Sequence, residues 1–372
     1  MEHWYRSIIS GERAGALPAI LRFLFEIISW FYATAVGIRN LLYDARILKQ
    51  TRLPVPVISV GNITTGGTGK TPTVIMLVKE LKKLGKKPAV LTRGYGAPKN
   101  PDGTRGKPDE VMVIEYECPG VPVIVNPDRI AGGREAIAKH HADVLVLDDG
   151  FQHRRLARDL NIVLVDATAP MGIPGIVPRG SWREPPYNLR RANMIMLTRC
   201  EQVSEELATL AAGLLTQWVS PRAIFQQRTS VIGLHDANDN PVPLIASIPG
   251  NGRKVIAFAG IANTNGFVHT VQSLGLQLTV ASWFDDHHNY QLPHDLEKIA
   301  TLGQQRGVEA LITTMKDWVK LRGRNLPENC PPIWHVRIET RLRPHEQDLL
   351  RARLTLLTNT PAAEPTTPAP SV

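Results

Sequence analysis

The chain has 372 residues, long enough for two ordinary domains that each bury a core. Apolar residues make up 43% of it and charged residues 21%, which excludes collagenous and disordered classes, and the lack of a 20-to-50-residue repeat excludes solenoids. A formal charge of +9 favours an acidic partner, whether nucleic acid, anionic lipid or a phosphorylated substrate, and three widely spaced cysteines (Cys118, Cys200, Cys330) fit reduced thiols better than a disulfide framework.

The first element is an apolar helix over residues 17–42, "LPAILRFLFEIISWFYATAVGIRNLL", with Arg22 and Glu26 at i,i+4 spacing inside it. A spanning helix needs about 20 nearly uncharged residues, so these charges argue against a bilayer crossing. No small-residue cleavage site follows a short apolar core, so it does not read as a signal peptide. Two readings stay open for it. It is an amphipathic helix in a membrane interface, with Trp30 and Tyr32 near headgroup level and Arg13, Arg22, Arg39, Arg46 and Lys49 facing anionic lipid; or it is a core helix packed on the first domain.

From residue 54 onward short β-rich runs alternate with helical patterns. Strands are predicted at 55–60, 88–92, 121–125, 144–147 and 162–165, and helices at 72–84 and 129–141. Continuous apolar strands separated by helices indicate a parallel sheet covered on both faces. Residues 172–191, "GIPGIVPRGSWREPPYNLRR", are rich in Pro, Gly and Arg and read as a long functional loop or an interdomain crossing. The alternation then resumes, with strands at 194–197, 255–259, 278–282, 310–313 and 333–338 and helices at 204–217, 265–274 and 295–305. The expected fold is therefore α/β, with two α/β/α units and mostly parallel sheets. Its expected parts are an N-terminal helical segment (1–50), a P-loop NTPase-like nucleotide-binding domain (51–190), a second α/β domain (191–357) and a disordered tail (358–372), whose composition lacks large apolar side chains before Val372.

The stretch "GNITTGGTGKTP", Gly61 to Pro72, lies between the first predicted strand and the first predicted helix of this series. That context suits a phosphate-binding loop. Gly66, Gly67 and Gly69 allow backbone N–H groups, with those of Thr64 and Thr68, to turn around a phosphate chain. Lys70 then reaches the β- and γ-phosphates and the Thr71 hydroxyl ligates Mg²⁺. Pro72 falls in the first helical turn, where its missing N–H costs nothing. Thr64, however, stands where the general G-x-x-x-x-G-K-[ST] pattern has its first Gly. Val144 to Leu147 followed by Asp148 and Asp149 has the form of a Walker B strand delivering a carboxylate to Mg²⁺. Alone it also fits a buried strand ending in an Asp-Gly turn.

Further segments match no general ATPase pattern: "TRGYG" (92–96), "DDGFQHRRLARD" (148–159), "PRGSWREP" (178–185), "FAGIAN" (258–263), "DDHHNY" (285–290) and "TTMKDWVKL" (313–321). With "VGNITTGGTGKTP", and in this order, they closely resemble the tetraacyldisaccharide 4′-kinase family of lipid A biosynthesis, from the N-terminal helix to about residue 357. The family's loop reads G-N-x-x-x-G-G-x-G-K-T-P, so Thr64 is not an anomaly within it.

The resemblance implies transfer of phosphate from ATP, with Mg²⁺, to the 4′-hydroxyl of an acylated glucosamine disaccharide 1-phosphate. It implies a peripheral or monotopic location at the cytoplasmic face of the inner membrane, in contact with inner-leaflet lipids. The positive charge then has its object in the substrate phosphate and the leaflet, not in nucleic acid.

A sugar hydroxyl is a poor nucleophile, so a carboxylate or imidazole must take its proton. The resemblance implies that Asp109, in "KPDEVMVI", and His287, in "DDHHNY", form that catalytic pair, although Pro108 stands where the family has Gly. Arg93, Arg129, Gln152, His153, Arg183 and Glu184 are the implied substrate-binding groups, with Arg179 a further cation in the Pro-rich loop. Met315 replaces the family's Glu in "TTMKDWVKL", and a structural role is expected for Lys316 and Asp317. The competing readings are a membrane-associated P-loop switch protein, which has no use for an Asp–His pair, and a ligase acting through an acyl phosphate, which needs a carboxylate acceptor.

Overall fold

A computed structural model describes residues 2–94, 106–243, 252–261 and 264–359. The helices are α1 (Glu2–Ile9), α2 (Ala16–Asp44), α3 (Lys70–Lys83), α4 (Asp109–Glu117), α5 (Arg129–His140), α6 (Glu205–Leu215), α7 (Thr264–Ser273), α8 (His294–Arg306), α9 (Met315–Leu321) and α10 (Pro344–Asn359). The strands are β1 (Val57–Asn62), β2 (Pro88–Thr92), β3 (Val123–Val125), β4 (Val144–Asp148), β5 (Leu160–Asp166), β6 (Met194–Thr198), β7 (Ile224–His235), β8 (Pro241–Val242), β9 (Lys254–Ala259), β10 (Gln277–Trp283), β11 (Ala310–Thr314) and β12 (Ile333–Leu342).

The chain divides into two compact units, the first built from 1–93, 120–229 and 340–372 and the second from 94–119 and 230–339. This corrects the expected boundaries of 51–190 and 191–357 in two respects. β6 pairs in parallel with β5, Ile162 beside Met194 and Asp166 beside Thr198, so residues after 190 still belong to the first sheet. Conversely α4 contributes Met112, Val113 and Tyr116 to a core with Ile256, Leu311 and Trp318, so it belongs with the second unit although it follows β2 in sequence. The tail expectation also shifts: Thr358 and Asn359 are the end of α10, and 360–372 lie outside the described residues.

In the first unit the strand order is β3-β2-β4-β1-β5-β6-β7, all parallel. β1 lies between β4 and β5, and the chain builds one side of the sheet before crossing to the other. The carboxyl end of β1 is thus the topological switch point, where open parallel sheets bind their ligands. Both faces are covered, one core holding Leu53, Ala89, Leu145 and Leu147 and the other Ile63, Phe151, Val163 and Leu197. In the second unit β10-β9-β11-β12 form a parallel sheet, again with a core on each face.

α2 reverses the usual pattern of a surface helix, which buries its apolar side. Its buried residues are Ser29, Val36 and Asn40, while Phe23, Trp30, Phe31 and Leu41 are exposed by 66%, 69%, 75% and 66%. Polar bonds fasten the inner face to the first unit. Ser29 Oγ donates to Ile176 O at 2.7 Å, and Asn40 Nδ2 donates to Glu184 Oε2 at 2.9 Å. At the end of the helix Arg154 Nη2 pairs with Asp44 at 2.7 Å. By length and composition α2 is apolar enough to cross a membrane. Its interrupting charges are used internally: Arg22 Nη1 donates to the carbonyls of Ile8 (3.3 Å) and Arg13 (3.0 Å), and Glu26 pairs with Arg179 at 3.4 Å. Arg22 therefore bonds backbone carbonyls at and after the end of α1, and Arg39 lies 3.9 Å from Glu184. Arg13, Arg46 and Lys49 are exposed.

Candidate active site

Between the end of β1 at Asn62 and the start of α3 at Lys70 the backbone forms a loop pinned through its own carbonyls. Thr198 Oγ1 donates to Thr68 O at 3.0 Å, Arg199 Nη2 to Gly67 O at 2.5 Å, and Thr73 N to Gly69 O at 3.2 Å. Asn62 Nδ2 donates to the buried Thr68 Oγ1 at 2.9 Å. Gly66 and Gly69 have φ of 102° and 86°, the left-handed region that L side chains avoid. Thr64 does not share that geometry. It forms an antiparallel bridge with Trp182, flanked by Thr65 N donating to Ser181 O at 2.7 Å and Arg183 N to Ile63 O at 2.6 Å. A threonine suits such an extended position, so the missing glycine marks a loop zipped onto the 172–185 segment. At the start of α3 the first amides lack intrahelical partners, which makes the helix N-terminus an anion site.

β4 ends at Asp148, which pairs in register with Val60 of β1, so the two acids lie beside the strand that leads into the loop. Asp149 accepts from Arg183 Nη1 at 2.9 and 2.8 Å, and Lys70 Nζ lies 3.7 Å from it. Burial would raise the Asp149 pKa, but Lys70, Arg183 and Arg129 outweigh that and hold it below the usual carboxylate range. Arg129 is buried at the start of α5. It donates to Asn126 O at 2.7 Å; burial lowers its pKa while Asp148 and Asp149 pull it up. Arg93 is exposed just after β2, near enough for its charge to oppose that of Arg129.

Gln152 Nε2 donates to Asn62 O at 2.9 Å and so steadies the strand end before the loop. His153 is pushed down to about 4 by burial and by Arg129 and Arg158, which leaves its ring neutral at physiological pH.

In the second unit, Asp109 begins α4 and is 8% exposed. His287 Nδ1 donates to its Oδ2 at 3.1 Å. The buried Lys320 Nζ lies 2.9 Å from the same oxygen. Burial would raise the Asp109 pKa, yet the hydrogen bonds from His287 and Lys320 lower it overall; the bond from Asp109 in turn raises that of His287. The adjacent imidazoles diverge: His288 Nε2 bonds Asp295 Oδ2 at 2.8 Å and its ring stacks on Phe284.

With a phosphate loop and a carboxylate–imidazole pair in view, residues 21–355 match the family model described as LpxK, tetraacyldisaccharide-1-P 4′-kinase. The chain belongs to this kinase family. A tetraacyldisaccharide 4′-kinase from Syntrophus aciditrophicus is 39% identical over 358 residues, covering 90% of this chain and 93% of the relative. One from Geobacter metallireducens is 37% identical over 320 residues, covering 82% and 90%. The structure of LpxK from Aquifex aeolicus in complex with ATP superimposes with a TM-score of 0.69 at 30% identity, over 91% of this chain and 99% of that one.

Within this kinase chain two expected substrate residues are corrected. Glu184 has no exposed surface: Asn40 and Arg191 (2.5 Å) both donate to its Oε2, so it is a buried anchor joining α2 to the Pro-rich loop. Arg179 is likewise occupied by Ile9 O at 3.1 Å and by Glu26. Tyr95, Gly96, Ala262 and Asn263 of the family segments lie outside the described residues. Met315 packs in the second unit's core, Asp317 accepts from Thr314 Oγ1 at 2.7 Å at the start of α9, and Lys316 pairs with Asp286 at 2.7 Å.

Sequence reasoning missed Lys320, the Asp166–Arg199 ion pair beside the loop, and Gln227, which accepts from Thr73 Oγ1 at 2.9 Å. Arg199 lies two residues after the predicted strand 194–197, a strand-end position that could have drawn notice; Lys320 lies within the family segment 313–321, where Lys316 and Asp317 drew the attention, and Gln227 sits in an unremarkable run.

The donors expected for Mg²⁺ are the Thr71 hydroxyl and the Asp148 and Asp149 carboxylates. They fit a hard cation, which takes oxygen ligands and is ordinarily held by one or two carboxylates together with substrate phosphates.

Proposed function

We propose that this protein transfers the γ-phosphoryl group of ATP to the 4′-hydroxyl of tetraacyldisaccharide 1-phosphate, giving lipid IVA, at the cytoplasmic face of the inner membrane. The observation that carries this reading is the Asp109–His287 hydrogen bond in a chain that also has a phosphate loop. A nucleotide switch needs the loop and has no use for the pair. The ATP bound by the Aquifex aeolicus relative supports ATP as the donor.

In the reaction, a bond forms between O4′ of the sugar and the γ-phosphorus while the bond from that phosphorus to the β,γ-bridging oxygen breaks, and ADP leaves. The hydroxyl proton passes to His287 Nε2. Asp109 holds the ring by accepting from Nδ1, which keeps the lone pair on Nε2 and stabilises the imidazolium that forms. Backbone amides of the loop and the Lys70 ammonium neutralise the developing charge on the phosphates. Asp149, bonded by Arg183 and facing Lys70, sets where those cations lie. Thr71, Asp148 and Asp149 are the residues that would hold Mg²⁺, which when bound neutralises charge on the β- and γ-phosphate oxygens. Arg93, which is exposed, is the cation available to a substrate phosphate, whereas the buried Arg129 and the Asp149-bonded Arg183 set the field around the two acids; Gln152 supports the end of β1.

The outer face of α2 is the surface that meets lipid. Ser29, mid-helix, and Asn40, near the helix end, are tied to the folded first unit, so the helix lies along the membrane interface instead of crossing it. The test is to incubate purified protein with MgATP and tetraacyldisaccharide 1-phosphate in detergent and look for a lipid heavier by one phosphoryl group. Absence of that product, with ATP binding intact, overturns the assignment.

A further inference from the structure

The Asp109–His287 pair has a third member. Lys320, on the last turn of α9, is 6% exposed, and its Nζ lies 2.9 Å from Asp109 Oδ2, the oxygen that also accepts from His287. Nζ donates as well to His288 O at 2.9 Å, the carbonyl next in sequence to His287. It stands 3.7 Å from Asp317 Oδ1 and 5.8 Å from the centre of the Tyr290 ring. One ammonium therefore ties together α4, α9 and the turn that carries the imidazole.

A lysine in such surroundings has two of its three donors with fixed takers, Asp109 Oδ2 and His288 O, so it sets both the position of the carboxylate and the backbone of the turn. A salt bridge kept only for stability would not need to converge on the same oxygen as a histidine. We propose that Lys320 is a positioning residue for the dyad. It fixes Asp109 Oδ2 so that this oxygen receives the Nδ1 proton of His287, and its positive charge keeps the pair from holding a proton that must leave before each turnover. This rests on the reading of Asp109 and His287 as the base.

The charged and titratable groups around the Asp109–His287 pair and the neighbouring Tyr290 come from each element packed there: Glu110 of α4; Lys316, Asp317 and Lys320 of α9; Asp286 of the turn before α8; and Asp295 of α8. Of these Lys320 is the buried cation that touches the Asp109 carboxylate directly. Hydrogen bonding by His287 and Lys320 works against burial to keep the carboxyl ionised. Removing the cation shifts the balance toward the protonated dyad.

The experiment measures kcat against pH for wild type, Lys320→Met, Lys320→Arg and Asp109→Asn, with thermal melting in parallel. Lys320→Met is expected to lower kcat at neutral pH by on the order of 10- to 100-fold, the usual cost of losing a group that orients a catalytic one. Its acid limb is expected to move to higher pH, so that raising the pH restores much of the loss, with KM for ATP little changed. Lys320→Arg keeps a cation on the carboxylate and is expected to leave the limb at the wild-type position. A Lys320→Met loss uniform across pH, an unshifted limb, or a Lys320→Arg limb displaced as far as that of Lys320→Met overturns the proposal. The underlying reading fails separately: an Asp109→Asn enzyme as active as wild type would show that the pair is not the base, whatever Lys320 does.

Discussion

Asp109 and His287 are 178 positions apart, and the family resemblance named both; in the structure their side chains meet in one hydrogen bond of 3.1 Å. As the proposed base, His287 must be unprotonated to act, and the bond to Asp109 raises its pKa above the ordinary 6.5, so kcat is expected to rise with pH through a limb lying above that value. In His287→Gln the limb should fall toward the carboxylate range, with kcat reduced by roughly 100-fold or more; a pH–rate profile of both proteins checks this. Stability has the opposite sign for this histidine. A raised pKa contributes stability that is complete below 6.5 and is lost as pH rises through the raised value, whereas the lowered Asp109 contributes above 3.8 and loses its share as pH falls through the lowered value. The melting-temperature difference between wild type and His287→Gln should therefore be largest near pH 5 to 6, between those two values, and shrink above neutrality. At the phosphate loop, Lys70→Met is expected to cost about 100- to 1000-fold in kcat, as for loss of one preorganised charge, with melting unchanged.

At the scale of elements, β1 and the turn after β4 meet where a side chain cannot fit. A Cβ on Gly61 would lie 2.6 Å from Phe151 Cβ and 2.7 Å from Phe151 N, so Gly61→Ala is expected to destabilise by about 1–3 kcal/mol in denaturant unfolding. α2 is held by polar contacts at its inner face, among them the bond of Asn40 to the fully buried Glu184. Glu184→Ala strands the Arg191 guanidinium and should cost about 3–5 kcal/mol, read from the same unfolding curves. The apolar outer face is a different matter: Trp30→Gln with Phe31→Gln touches neither anchor, so folding and ATP binding should persist while sedimentation with lipid vesicles falls. The helix was legible as apolar and interrupted by charge. That Arg22 and Glu26 would be consumed by Ile8, Arg13 and Arg179 was not, because those partners are set by how α1 and the 172–185 segment fold back on α2.

For the molecule as a whole, the net charge of +9 is expected to appear as binding to anionic vesicles that weakens with salt, beyond the contribution of the α2 apolar face, which salt leaves intact. Local sequence determined a good deal of this protein. Hydrophobic period placed β2 at 88–92 and the helix from Arg129, glycine and lysine spacing identified the phosphate loop, and ordered motifs carried the family, because each depends on residues close together in the chain. The twelve-residue β7 and the helix α10 escaped it, since β7 carries Gln226 and Gln227 buried in its interior, where the strand pattern expects apolar side chains. Only tertiary structure decided that α4 leaves the first unit, that Glu184 is an anchor, that Thr64 pairs with Trp182 and that Lys320 shares an oxygen with His287. Each of these is a contact between residues far apart in the chain, fixed by how packed elements place side chains, and spacing along the sequence carries no measure of it.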